Sequence, residues 1–272
     1  MCSDFAGTIL QGGEGSGFSE GDEVFGVNMK PMDPCAGTLS EIAHLNLAST
    51  CVVKKRKEWS FNQAAGLGCV WLTAKTSVER IAPYVDPTAS KRVVILGGSS
   101  ACGIYGVQIA KKRGWKVLST CSGRNADFVR DKLGADEVVD YTKQSVREEV
   151  KRFQPDAIID NVGGTECIGL SKYYLSIVGD KTSRETMGGP LTFYLSFVPM
   201  QWLRWAKGRL GVGERYDVIT LETKREYLEE AKELLNDDVV IDSTFAFEDA
   251  RKAYERLNTG RARGKIIVEV AK

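Results

Sequence analysis

The chain has 272 residues, 43% apolar and 27% charged, enough for one large domain or two smaller ones with a real core. Its formal net charge is +1, so no bulk field draws it to nucleic acid or to an anionic membrane. Seven widely spaced cysteines form no Cys-x-x-Cys pair and His44 is the only histidine, which argues against a zinc site and against a Ser-His-Asp hydrolase.

Met1-Cys2-Ser3-Asp4 shows neither the basic nor the apolar region of a signal peptide. The odd cysteine count fits reduced thiols in an intracellular, cytoplasmic protein. The first 70 residues alternate glycines with short extended runs, DFAGTIL (4–10) and GDEVFGV (21–27) around the loop QGGEGSG, and predict small antiparallel β-structure. The basic run Lys54-Lys55-Arg56-Lys57 lacks aromatic interleaving and reads as a solvated loop or strand edge, not a nucleic-acid site.

From Lys91 the texture changes. KRVVIL (91–96) is the apolar run of a buried parallel strand. A helix with Ile104, Val107 and Ala110 on one stripe follows, ending in Lys111-Lys112-Arg113 and a Gly114 cap. A second strand is predicted at 115–121, a helix at 125–134 opened by Asn125, and strands at 137–141, 156–164 and 172–179, with a charged helix near 145–153. This β-α-β-α rhythm predicts an α/β fold with a mostly parallel sheet covered by helices on both faces.

Residues 187–213 show no clear period and read as an apolar loop or short helix over a pocket or a dimer seam. Their stretch LTFYLSFVPMQWL (191–203) is too short for a membrane span and is interrupted by Pro199. A long helix at 221–236, a strand at 239–247, a helix at 248–258 and a strand at 264–270 complete the chain.

The first β-α turn reads Gly97-Gly98-Ser99-Ser100-Ala101-Cys102-Gly103. With Gly98 and Gly103 as the outer glycines of a dinucleotide-binding pattern, Ser100 takes the middle glycine's place. Its hydroxyl can donate to a phosphate oxygen, and the helix N-terminus behind it offers N–H groups and a positive dipole end. The second strand ends Ser119-Thr120-Cys121-Ser122-Gly123-Arg124, with no acid to take a ribose 2′-hydroxyl and with a guanidinium suited to a 2′-phosphate. NADP(H) is therefore favoured over NAD(H). None of the nine tyrosines is followed four residues later by lysine, so the short-chain dehydrogenase pair is absent.

DFAGTI (4–9), GDEVFGV, AAGLGCVWLTA (64–74), VVILGGSS, STCSGRNADFVR, LGADEVVDY (133–141), DNVGG (160–164) and GRARGKIIVEV (260–270) resemble, in order, the zinc-independent medium-chain dehydrogenase/reductases. These are quinone oxidoreductase- and enoyl reductase-like proteins. The resemblance implies a Rossmann domain inserted in a partial GroES-like β-domain, with 1–70 in the β-domain, 71–238 in the Rossmann domain and 239–272 returning to the first. It implies NADPH-dependent reduction of an electrophilic quinone or enone by hydride transfer, no zinc, and a homodimer. The fold's first strands, which in enoyl reductases carry a proton-donating tyrosine, precede the matched region, so no catalytic acid is assigned.

By the same resemblance NADPH lies on Gly98, Ser99, Ser100, Ala101, Cys102 and Gly103, with Ser122 and Arg124 near the 2′-phosphate and Tyr141 along the adenosine. Asn161, Val162 and Gly163 line the nicotinamide ribose, Thr73 lies near the nicotinamide, and Arg263, Gly264 and Lys265 return to the cofactor. A mitochondrial location is implied if a targeting segment precedes the chain. A dinucleotide- or partner-binding protein that no longer turns over is the alternative reading; a methyltransferase fits the DNVGG and GRARGK segments less well.

Overall fold

The computed structural model describes residues 2–179, 191–235 and 239–270. The chain divides into two compact units, one of residues 1–73 with 222–272 and the other of residues 74–221.

In the first unit β1 (Asp4–Thr8), β2 (Glu23–Asn28) and β3 (Thr50–Lys54) form an antiparallel sheet in the order β1-β2-β3, the arrangement the N-terminal glycine-rich texture predicts. The basic run extends from its edge. Lys54 pairs with Asp22 at the surface, whereas the Lys55 side chain is buried, pairs with Glu23 and donates to the Trp59 carbonyl at 2.6 Å. After the short helix α1 (Phe61–Ala65), capped by Ser60, comes α2 (Gly68–Val85), which carries the chain across the unit boundary.

The first unit resumes at Glu222, ahead of the boundary at 238/239 read from the sequence. Helix α6 (Arg225–Leu234) belongs here because its buried Leu228 and Ala231 pack with this unit. Arg225 also donates to the Val52 carbonyl at 3.1 Å, and the Trp71 indole N–H to the Tyr227 carbonyl at 2.6 Å. Asn236, the last residue of the predicted 221–236 helix, lies outside the described residues. Strands β10 (Ile241–Ala246) and β11 (Lys265–Glu269) form a parallel pair bridged by α7 (Ala250–Asn258).

The second unit is a six-stranded parallel sheet. Its strands are β4 (Arg92–Leu96), β5 (Lys116–Cys121), β6 (Glu137–Asp140), β7 (Ala157–Asp160), β8 (Tyr173–Ser176) and β9 (Arg215–Val218), in the order β6-β5-β4-β7-β8-β9. Two halves meeting between β4 and β7 make the doubly wound Rossmann sheet. The central strands are buried along almost their whole length, which is why they appear as continuous apolar runs. Helix α3 (Ala101–Lys112) follows β4 and α4 (Val146–Phe153) follows β6.

Three predicted elements change. The regular helix expected at 125–134 is a 3-10 turn, Gly123–Asn125, followed by a π-helical turn, Phe128–Lys132, in which the Leu133 N–H reaches the Phe128 carbonyl at 3.1 Å. The strand expected at 156–164 stops at Asp160, and a loop begins at Asn161. The aperiodic 187–213 segment is mainly one 19-residue helix, α5 (Leu191–Arg209), followed by β9; residues 187–190 lie outside the described residues. Pro199 is tolerated inside α5 although it removes one donor.

Candidate functional site

The crevice at the carboxyl ends of β4 and β7 is where an open parallel sheet changes direction, the usual ligand position in such folds. The turn leaving β4 is fixed from β5. Gly97 N–H donates to Thr120 Oγ1 at 2.9 Å, Gly98 N–H donates to the Thr120 carbonyl at 2.8 Å, and Ser119 Oγ donates to the Ile95 carbonyl at 2.8 Å. Ser119 and Thr120 are buried, so their hydroxyls serve the turn's geometry.

The glycines leave no room for side chains. Gly97 has φ +78°, and a Cβ there would stand 2.4 Å from Val162 Cγ1. A Cβ on Gly98 would meet Ser119 Oγ at 2.0 Å, and one on Gly103 would meet the Gly97 carbonyl oxygen at 2.1 Å. Helix α3 therefore starts hard against the turn, at the sheet's carboxyl edge. Backbone approach of this kind is what a pyrophosphate needs.

Ser100 is the N-cap of α3. Its backbone is extended (φ −71°, ψ 160°), a conformation that makes no demand for glycine, and its Oγ accepts from Gly103 N–H at 3.1 Å. The serine thus stabilises the helix start and keeps its hydroxyl proton available to donate outward. Ser100→Ala is expected to lower stability by about 1 kcal/mol and the melting temperature by a few degrees, whereas Ser100→Gly loses only a few tenths. Calorimetry on the two variants checks this order.

One side of the crevice is built from the ends of β5 and β6. Asn125, buried and expected only to open a helix, donates through Nδ2 to Ser99 Oγ at 3.2 Å and to Ser122 Oγ at 3.4 Å, tying the turn to the second loop. Arg124 is exposed beside them. Tyr141 N–H donates to the Cys121 carbonyl at 3.2 Å while its ring is 58% exposed, leaving a face for stacking. Asp140 accepts from the Thr142 hydroxyl at 2.7 Å, and this donor first, then the Thr142 and Gly123 N–H groups, holds its carboxyl below the usual range. A Cβ on Gly123 would meet this carboxylate at 2.5 Å, so Gly123 lets the loop carrying Arg124 close over β6.

The other side is the loop after β7. Asn161 Nδ2 donates to the Leu96 carbonyl at 2.9 Å, bridging the two strands that flank the crevice. Beneath it Asp160, fully buried, accepts from the N–H groups of Val162 at 2.9 Å and Gly163 at 2.8 Å.

Gly98–Gly103, Ser122, Arg124, Tyr141 and Asn161–Gly163 are therefore ranged along one edge of one sheet. Gly97, Asn125 and Asp160 are additions of the structure. The doublet Gly97-Gly98 and the acid closing a buried strand before Asn-Val-Gly-Gly are the signals that could have revealed two of them. The other four predicted residues belong to the first unit. Thr73 is buried and donates to the Cys69 carbonyl at 2.7 Å. Arg263 N–H donates to Asp242 at 2.8 Å, and Gly264 has φ +87° against the Val240 carbonyl. Lys265 forms an ion pair with Asp4, whose other oxygen accepts from Cys69 N–H at 2.6 Å. Asp4 thus joins the first strand to α2 and β11. Among the described residues no group of three or more His, Cys, Asp or Glu side chains could hold a metal ion.

A doubly wound sheet with a glycine-lined turn at its switch point defines a Rossmann-fold protein of the dinucleotide-binding type. Residues 133–268 match the zinc-binding dehydrogenase family. A trans-enoyl reductase of Aspergillus terreus, pgmF, is 35% identical over 211 residues, covering 74% of this chain and 58% of that protein. The mitochondrial NAD(P)H oxidoreductase RTN4IP1 of Mus musculus is 33% identical over 293 residues, covering 98% of this chain and 69% of that protein. Among solved structures, a quinone oxidoreductase from Coxiella burnetii shares the fold with a TM-score of 0.76 at 24% identity, over 99% of this chain and 78% of that one. The chain belongs to the medium-chain dehydrogenase/reductase family.

Proposed function

We propose that the chain binds NADPH along the carboxyl edge of the parallel sheet and reduces an electrophilic quinone or enone/enoyl substrate. The reading is carried by the turn at Gly97–Gly103, which has no room for a side chain at three positions next to the start of α3. The pyrophosphate fits this cradle, with Ser100 adding a hydroxyl donor. Asn161–Gly163 orient the nicotinamide ribose, and Tyr141 offers its exposed ring to the adenosine. Thr73, Arg263, Gly264 and Lys265 belong to the first unit, where Lys265 is held by Asp4. The cofactor supplies the hydride, so the protein's share is binding, orientation and exclusion of water. The printed names of the relatives, a trans-enoyl reductase and an NAD(P)H oxidoreductase, support the reaction class, and the mitochondrial one supports that compartment. No helix among the described residues is long and apolar enough to cross a membrane.

The phosphate preference rests on Ser122 and Arg124, with no acid between Ser119 and Arg124. A charge-assisted contact contributes about 1.5–3 kcal/mol, so Arg124→Ala is expected to weaken NADPH binding roughly tenfold to a hundredfold and to leave NADH nearly unchanged. Fluorescence titration of the reduced nicotinamide reads both. Equal losses for the two cofactors would remove the 2′-phosphate assignment, and NADPH binding without turnover across a panel of quinones and enones would overturn the reductase reading.

A further inference from the structure

The protein buries three of its five tryptophans almost completely, Trp59, Trp71 and Trp115, and leaves the other two in solvent. Trp202 is 62% exposed and Trp205 40%, with ring centroids 5.6 Å apart in an edge-to-face pair. Three residues apart on α5, they occupy one side of the helix. Leu203, at 47%, widens that side, and Leu210 and Val212, at 79% and 61%, continue it past the helix end. The opposite side is closed: a Cβ on Gly208 would stand 2.9 Å from Arg215 Cα, so α5 lies tight on β9 there. Large apolar side chains exposed together on one side of a helix mark an interaction site.

The charges of this segment have one sign. Residues 186–213 contain Arg204, Lys207 and Arg209 and not a single Asp or Glu. Lys207 is exposed and forms no ion pair among the described residues. Arg209 lies over the Trp205 ring at 5.4 Å and pairs with Asp217, and Arg204 lies over the Tyr216 ring at 5.7 Å. Tryptophan with leucine on one arc and lysine or arginine at its margin is the composition of helices that lie in the plane of an anionic bilayer surface. A second copy meeting the same face about a twofold axis would bring cation against cation, and lysine is depleted in protein interfaces.

We propose that the C-terminal half of α5, with the turn after it, docks on an anionic phospholipid surface. The indoles and Leu203 enter the headgroup layer while Lys207 meets lipid phosphate or carboxylate. The face is separate from the glycine turn, and its readout is partition rather than turnover, so it stands or falls independently of the reductase reading. The near-neutral net charge of the whole chain does not oppose this, because a surface field falls off within about 10 Å and is met locally.

The experiment is co-sedimentation of the full chain with vesicles of phosphatidylcholine alone and of an equimolar phosphatidylcholine–phosphatidylserine mixture, with tryptophan emission recorded in parallel. Partition into the mixed vesicles is expected, with a blue-shifted emission and a loss on adding salt. Trp202→Ala combined with Trp205→Ala is expected to lower it at least about tenfold. Lys207→Glu, which leaves the apolar face intact, is expected to lower it about tenfold on the mixed vesicles only. Absence of partition, or partition unchanged in Lys207→Glu and in the double variant, would overturn the proposal. So would a dimer, seen by light scattering in the parent and lost in the double variant, that excludes vesicle binding.

Discussion

Gly103→Ala is expected to abolish NADPH binding and to destabilise the protein by about 3 kcal/mol, while Gly106→Ala, one turn further along the same helix, is expected to be neutral or slightly stabilising. The two glycines look alike in the sequence but not in space. A Cβ on Gly103 would stand 2.1 Å from the Gly97 carbonyl oxygen and 2.9 Å from Gly98 Cα, both backbone atoms of the turn itself. No rotamer change relieves that overlap, so α3 must move away from the turn and its N-terminus leaves the place where a phosphate would sit. At Gly106 the nearest atom is Ile95 Cδ1 at 3.7 Å, an ordinary contact at the end of a flexible side chain. Urea unfolding and nicotinamide fluorescence on the two variants measure the two effects separately. If Gly103→Ala bound NADPH as well as Gly106→Ala, close packing of turn and helix would not be what makes the site.

The parallel sheet was readable in the sequence because burial on both faces leaves an uninterrupted apolar run, as in RVVIL of β4 and AIID of β7. β9 was not: RYDV carries Arg215 and Asp217, which pair with each other, and Asp217 accepts from the Tyr173 hydroxyl at 2.7 Å, so its strand identity comes from β8. Helix α2 escaped for the opposite reason. Its Val70, Trp71, Leu72, Thr73, Ala74, Lys75, Thr76, Ser77 and Val78 are all buried, and a helix without a wet face shows no apolar period. At the site, Gly98 and Gly103 were legible because their spacing is local. Gly97 is constrained by Val162 and Asn125 by Ser99 and Ser122, partners brought close only by the fold.

Asp160 is the second position where a single change is expected to act strongly, and it does so from beneath the site. Its carboxylate is fully buried and accepts from Val162 N–H, Gly163 N–H, the Ser176 hydroxyl at 3.2 Å and the Tyr174 hydroxyl. Asp160→Ala leaves four donors without their acceptor in a dry interior, a loss of about 3–5 kcal/mol, and frees the loop that holds Asn161 and Val162, so NADPH binding falls with stability. Asp160→Asn keeps an acceptor oxygen and is expected to lose less. Burial pushes the Asp160 carboxyl above its ordinary value, against the pull of those four donors. A raised acid binds its proton more tightly in the folded state, so its contribution to stability is present below the usual aspartate range and is lost as pH rises through the raised value. Asparagine does not titrate there. The stability gap between the parent and Asp160→Asn is therefore expected to narrow as pH rises from about 4 towards neutrality, the other titrating groups cancelling in the difference. Urea unfolding of both proteins across that range tests the sign. A gap that widened with pH would mean that the four donors outweigh burial, making Asp160 a carboxylate held in its charged form beneath the loop.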